Sequence, residues 1–242
     1  MEKINCAGLC LAFALFLVLP QTSVMAGSIN LSPTRIQLSA SQQSAVLTIH
    51  NQHTESTVIQ LEASDWHQDD SGDNYQPSQN LIATPTVFSL QPGESQLVRV
   101  GLRRPINKNT ESAYRLFIQE VPSTSIRNAT VQVVLRFSLP VFVAPISEQP
   151  LLPLTWQLLE YGDRLLIQAK NPGAKHIQIT GFTLYQEATP ITVQQQLMHY
   201  LLPGQTHQWK VRTTVPVLPN TRLTVDTTTD AGDMQSPLLA AE

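Results

Sequence analysis

The run from Ala129 to Val143, ATVQVVLRFSLPVFV, constrains this chain more than any other feature. Ala129, Val131, Val133, Leu135, Phe137 and Leu139 fall on one parity, while Thr130, Gln132, Arg136 and Ser138 fall on the other; Val134 alone breaks the alternation. Successive side chains of a strand point to opposite faces, so the run predicts a long ribbon with one apolar and one mixed face. The preceding Tyr114 to Val121, YRLFIQEV, also reads as a strand, and residues 122–128 join the two. A ribbon of this length must be paired along both edges or kept from pairing wrongly. Its apolar face needs a cover.

At the N-terminus, Lys3, an apolar core from Leu9 to Leu19 and the sequence Val24-Met25-Ala26 predict a secretory signal peptide over residues 1–26, cleaved after Ala26. That core is too short for a permanent membrane anchor, and Cys10 lies inside it rather than after it, unlike a lipoprotein site. Both cysteines, Cys6 and Cys10, fall in this segment. The expected mature chain therefore has no thiol chemistry, although export would permit disulfides. Its cores must suffice alone, which favours domains of about 100 residues, and Gly27 to Glu242 is long enough for two.

The formal charge of −3 comes with no clustered basic excess, so no nucleic-acid partner is expected. Only 14% of residues are charged, whereas Thr, Gln, Ser and Val are plentiful, the composition of exposed sheet surfaces. The chain reads all-β. Ile29 to Leu38, Ser44 to Asn51, Ser56 to Trp66, Leu81 to Leu90, Gln96 to Leu102, Tyr114 to Val121 and Thr130 to Val143 form a first set of strands. Turn signals separate them, as in an immunoglobulin-like sandwich; Asp69 to Pro77 is predicted to be one such turn cluster, too polar to hold a strand. Pro140, Pro145, Pro150 and Pro153 predict a strand exit and hinge. Leu154 to Glu160, Arg164 to Lys170, Ile177 to Tyr185, Ile191 to Val193, Thr206 to Thr213 and Arg222 to Thr228 supply a second set. The expected architecture is all-β, two immunoglobulin-like β-sandwich domains over residues 27–146 and 147–242, joined by a Pro-rich hinge.

Motifs for chemistry are absent: no nucleophile elbow, no His-Glu-x-x-His and no glycine-rich phosphate loop. No enzyme activity, nucleotide, cofactor or metal is expected. His50 and His53 would converge only through the Asn51-Gln52 turn, and His67 beside Asp65, Asp69 and Asp70 reads as a solvated loop. Asn128-Ala129-Thr130 matches a glycosylation sequon, a motif short enough to occur by chance. Trp66, Trp156 and Trp209 read as core residues. More informative are Arg35, Arg115 and Arg136, each inside an apolar strand pattern. Any one of them reads as a solvent-face residue, but together, in strands that could be neighbours, they suggest a groove. An arginine fork grips a carboxylate bidentately at any relevant pH, so such a groove could anchor a chain terminus.

Several segments carry a resemblance: LSPTRIQL near the start, LIATPTVFSLQPGESQLVRV, YRLFIQEVP followed by the long alternating strand, and Lys170-Asn171-Pro172 ahead of HIQITGFTL. Together they resemble the periplasmic chaperones of chaperone–usher pilus assembly, the PapD-like family. The resemblance implies a non-enzymatic periplasmic protein that binds pilus subunits by donor-strand complementation and delivers them to an outer-membrane usher. Main-chain hydrogen bonds then supply affinity, and alternate side chains fill the subunit's groove. On that reading Ala129, Val131, Val133 and Leu135 are the lent residues, and Arg35 matches the family's carboxylate-anchoring arginine. The chain departs from the classical pattern in carrying Ser138 where a lysine shares that anchor. LRFSLPVF looks more like the archaic or alternative branch, which leaves Arg115 and Arg136 as rival anchors. The alternatives are a secreted adhesin or pilus structural subunit, disfavoured by two domains and by a strand beginning at Ile29, and a carbohydrate- or metal-binding sandwich using the tryptophans.

Overall fold

The computed structural model of the chain describes residues 29–106, 108–122, 133–160, 164–194, 196–217 and 221–240. The helices and strands it assigns there are all strands. The first unit contains β1 (Ile29–Ser32), β2 (Ile36–Leu38), β3 (Ser44–Asn51), β4 (Thr57–Asp69), β5 (Gly72–Pro77), β6 (Leu81–Thr84), β7 (Val87–Leu90), β8 (Ser95–Leu102), β9 (Ser112–Val121) and β10 (Arg136–Val143). The second contains β11 (Thr155–Glu160), β12 (Leu165–Lys170), β13 (Ile177–Gln186), β14 (Thr189–Gln194), β15 (His199–Leu201), β16 (Thr206–Val211), β17 (Leu223–Thr229) and β18 (Gly232–Ala240). The all-β, two-sandwich class expected from the sequence is the one that forms.

In the first unit one sheet runs β1-β3-β8-β6, and the facing sheet runs β2-β10-β9-β4-β5 with β7 also on β4. Leu47, Ile49, Ile59, Val98, Val100, Leu116, Ile118 and Val141 are buried between them. Two predicted strands each split between the sheets. Ile29 to Leu38 breaks at Pro33, so that Leu31 pairs with Ile49 in one sheet and Ile36 with Val141 in the other. Leu81 to Leu90 breaks at Pro85, with β6 on β8 and β7 on β4. Proline cannot donate to a ladder, so each break falls where the chain crosses from sheet to sheet. The apolar alternation survives the crossing because both halves face one core.

Two expectations fail here. Asp69 to Pro77 is not a turn cluster but a hairpin, β4 pairing β5 from Asp69↔Gly72 to Ser64↔Pro77. Asp69 closes the turn by accepting from the Ser71 amide and hydroxyl and from the Asn74 side chain, at 2.6–2.8 Å. An edge strand with both faces open to polar neighbours needs no apolar residues, so the polar composition misled. Pro140 is likewise no strand exit: β10 continues through it to Val143, and every residue from Leu139 to Val143 is buried.

The second unit has the order β14-β13-β17-β18-β11-β12-β16, with β15 on β13. Trp156, Ile167, Ala169, Ile179, Phe182, Leu184 and Val225 lie at its core. β18, unforeseen because Pro237 interrupts its pattern, closes it by pairing antiparallel with β17 and parallel with β11.

The two units share one internal lock. Asn51 and Asn171 are both fully buried. Asn51 Nδ2 donates to the carbonyls of Glu55, Leu90 and Gln91, and its Oδ1 accepts the His53 amide. Asn171 Nδ2 donates to Lys175 and Leu201, and its Oδ1 accepts the Gly173 amide. In each case a distant Pro-Gly turn closes on the asparagine carbonyl, through the Gly93 and Gly204 amides at 2.9 Å. Both glycines sit at positive φ, +73° and +78°, which the turn requires.

Between the units lies a third apolar cluster of Trp66, Phe142 and Leu202, flanked by Ala113 and Tyr200. Trp66 and Trp156 are buried as expected, but Trp66 serves this junction and not the sandwich core.

Candidate functional site

Two features of the first unit stand close together: an open edge of β10 and a pair of arginines at the junction with the second unit. β10 pairs with β9 along its whole length, but with β2 only at Val141, Phe142 and Val143. The Glu120 amide donates to the Leu135 carbonyl, and the Leu135 amide to Glu120 Oε2 at 3.1 Å. In an antiparallel ladder both main-chain groups of a residue point to the same neighbour, alternating along the strand. The main-chain groups of Arg136 and Ser138 therefore point away from β9, toward an edge with no strand partner among the described residues. Pro140 shares that parity and leaves a gap in the donors where β2 begins.

Of the four residues expected to be lent, Ala129 and Val131 lie outside the described residues. Val133 is 75% exposed, followed by Val134 at 37%. Leu135 is half-buried, its main chain already taken by Glu120. Among the described residues strand pairing stops at Arg136 and the apolar Val133 and Val134 precede it; the predicted start at Thr130 lies outside the described residues. Glu120 is buried, and its Oε1 faces His53 Nε2 at 2.9 Å without hydrogen-bond alignment.

The rival arginines separate into a pair and an outlier. Arg35 does not lie in a strand but in the bend before β2. Since Ile36 pairs with Val141, Arg35 is level with Pro140 on one side of β10, and Arg115 is level with it on the other. Arg115 spreads its guanidinium over the Trp66 ring, 3.8 Å from the centroid, and reaches the Tyr200 ring at 5.4 Å. Its buried Nε has no hydrogen-bond partner among the described residues. Arg35 Nη1 donates to Asp230 Oδ2 at 2.6 Å. Burial raises the Tyr200 phenol, and the charges of Arg35 and Arg115 pull it back down. Arg136 stands apart, over the Phe117 ring at 4.2 Å and 3.8 Å from Glu62. With both partners about half exposed, that ion pair contributes little. Ser138, opposite Phe117, is exposed.

The cleft floor is set by contacts across the two units. Gln68 accepts the Leu202 amide and donates to the Tyr200 carbonyl, as a strand residue would. His176 stacks on Phe142 and meets Glu111 Oε1 at 2.6 Å, both polar side chains nearly inaccessible. Beside this floor, burial pushes the Asp73 carboxyl up, but hydrogen bonds from Gln68, Trp66 and Tyr75 and the Arg115 charge outweigh it and hold the group low. Burial depresses His199 to about 4, helped by His207. Burial lowers His207 as well. A cavity of about 470 Å³ opens beside the junction, lined by residues including Asp65, Gln68, Glu111, Ser112 and Leu202. No cluster able to hold a metal ion occurs among the described residues; His50 is hydrogen-bonded to Ser95 at 2.9 Å. Sequence reasoning missed Tyr200, Asp230, Glu111 and His176. Glu111, His176 and Asp230 come from turns or strand ends and Tyr200 from the three-residue β15, none with a periodic signal, and they matter through contacts between units.

Comparisons with known proteins agree on one family. The profile described as pili and flagellar-assembly chaperone, PapD N-terminal domain, matches residues 28–148. LpfB of Escherichia coli O157:H7, described as a probable fimbrial chaperone, is 35% identical over 116 residues, 47% of each chain. The match thus spans about half the length of that curated relative. Among solved structures, a chain of the CsuC-CsuE chaperone–tip adhesion subunit pre-assembly complex of archaic Csu pili from Acinetobacter baumannii superposes with a TM-score of 0.66. It is 17% identical and the match covers 89% of this chain and 100% of that one. A chain of the Salmonella enterica SafA pilin–SafB chaperone complex gives 0.59 at 16% identity, covering 87% and 96%. At such identities the likeness is one of fold.

Proposed function

The chain belongs to the PapD-like family of pili and flagellar-assembly chaperones, and from that premise we propose that it is a periplasmic chaperone for pilus subunits, holding them by donor-strand complementation and delivering them to an outer-membrane usher. The family is one of chaperones and not an enzyme class. The observation that carries the reading is the edge of β10, unpaired from Arg136 to Pro140 and continued by the exposed Val133 and Val134. An incomplete sandwich that adds its strand there would take main-chain hydrogen bonds from Arg136 and Ser138, with alternate apolar side chains entering its groove. In this reading residues 1–26 are the cleaved export signal, residues 27–146 hold the lent strand, and residues 147–242 form the far wall of the cleft. Ala129, Val131, Val133 and Leu135 supply the alternating side chains, and the pair Arg35 and Arg115 receives the subunit's terminal carboxylate in preference to Arg136.

The test is co-expression with the pilus subunits encoded beside it. A soluble 1:1 complex is expected in the periplasmic fraction; subunits that accumulate equally well without the chain would overturn the reading.

A further inference from the structure

Arg35, one of the two arginines assigned above to a subunit's terminal carboxylate, is already holding a carboxylate. Asp230 Oδ2 receives its Nη1 at 2.6 Å, from the other unit. Asp230 occupies the tip of the hairpin between β17 and β18, and that tip is built to hold still. Its Oδ1 accepts the Gln178 amide at 2.9 Å, and its own amide donates to the Gln178 carbonyl at 3.1 Å. Thr229 Oγ1 accepts the Ala231 amide and donates to the Gly232 carbonyl across the turn. The hairpin presents a carboxylate to the arginine fork much as a chain terminus would. Yet the pair is not sealed, since the side chains are 36% and 21% exposed. Water and incoming anions can reach it, and an ion pair of this exposure is weak enough to exchange. The other charged or titratable groups nearby include the Tyr200 phenol, which feels both Arg35 and Asp230, Arg115 across that ring, and His176, 3.8 Å from the same oxygen and itself paired with Glu111.

Building on the reading that Arg35 anchors a subunit terminus, we propose that Asp230 is a resident placeholder for that terminus, displaced when a subunit seats. It would keep Arg35 from standing unpaired in the empty cleft and screen it from stray anions. Because it also ties the two units together, its release would report occupancy of the first unit's cleft to the second.

The experiment uses the mature chain and its D230N and R35A variants. The probe is the peptide acetyl-Thr-Val-Thr-Val-Thr-Phe, prepared as the free acid and as the C-terminal amide, titrated by calorimetry. Asparagine keeps the Oδ1 acceptor for Gln178 and removes the charge. D230N is expected to tighten the acid about twofold to fivefold, the scale of an exposed ion pair, and to leave the amide unchanged. No gain for the acid overturns the placeholder. If R35A loses the acid while D230N gains nothing, the anchor stands and only the placeholder falls. If the wild-type chain does not distinguish acid from amide, or R35A binds the acid as wild type does, both fall. A readout independent of the variants' folding is the 13C carboxyl resonance of Asp230 in the wild-type chain. It should move on adding the acid and stay with the amide; a resonance unmoved at saturation overturns the proposal.

Discussion

The Phe142 ring lies flat on the His176 imidazole, centroids 3.5 Å apart and planes 9° from parallel. Phe142 belongs to the last strand of the first unit and His176 to the entry of β13 in the second, so one stacked pair joins the arginine cleft to the opposite wall. Phe142 is also within ring contact of Trp66 and Tyr200, at 5.8 and 5.7 Å. Truncating it should cost about 3 kcal/mol, as for a buried phenylalanine. Scanning calorimetry of Phe142→Ala should show the loss as a separation of one unfolding transition into two, because the contact removed lies between cores and not within one.

The twin asparagine locks invite a paired test. Asn51→Ala and Asn171→Ala each leave buried carbonyls without a donor, a loss of roughly 2–3 kcal/mol. Amide hydrogen exchange in urea, read in β3 and β8 of the first unit and in β12 and β13 of the second, should assign each loss to its own unit. Losses that fall equally on both sets of amides would mean the locks are not local.

The His199 and His207 rings meet tilted by 34°, their centroids 3.6 Å apart, and both are depressed by burial. Because the folded pKa of His199 is about 4 against about 6.5 unfolded, the unfolded chain binds more protons between these values. Stability is therefore full above about pH 6.5 and is lost as the pH falls toward 4. The site is partly open, so the loss should be only on the order of 1 kcal/mol after allowance for solvent. Denaturant midpoints at pH 7 and pH 5 should differ, and His199→Gln should shrink the difference. The lowered carboxyls of Asp69 and Asp73 titrate below this window.

For the exposed segment, Val133→Asp should abolish capture of a pilus subunit while leaving thermal stability within about 0.5 kcal/mol, as for a surface substitution. A destabilised variant would make Val133 a packing residue instead. Among the arginines, Arg115→Ala should weaken subunit capture and also cost about 1 kcal/mol of stability through its lost contact with Trp66. Arg136→Ala should do neither in pull-down and melting assays.

Alternation alone revealed the all-β class, the two sandwiches and most strands, because a strand buried on one face repeats every second residue whatever its neighbours. It also marked Val133 and the three arginines as unusual. It did not reveal the hairpin at Asp69–Gly72, whose edge strand needs no apolar face. It carried the last strand through Pro140 to Val143, while the proline cluster argued for an exit there; the missing amide falls on a side with no partner. The pairing of Arg35 and Arg115 around Tyr200, the separation of Arg136, and the carboxylate of Asp230 against Arg35 were decided by tertiary structure. Local sequence sets which face a side chain takes, a short-range matter of backbone geometry. Which distant faces meet depends on how two cores dock, and Arg35 and Asp230 stand 195 positions apart.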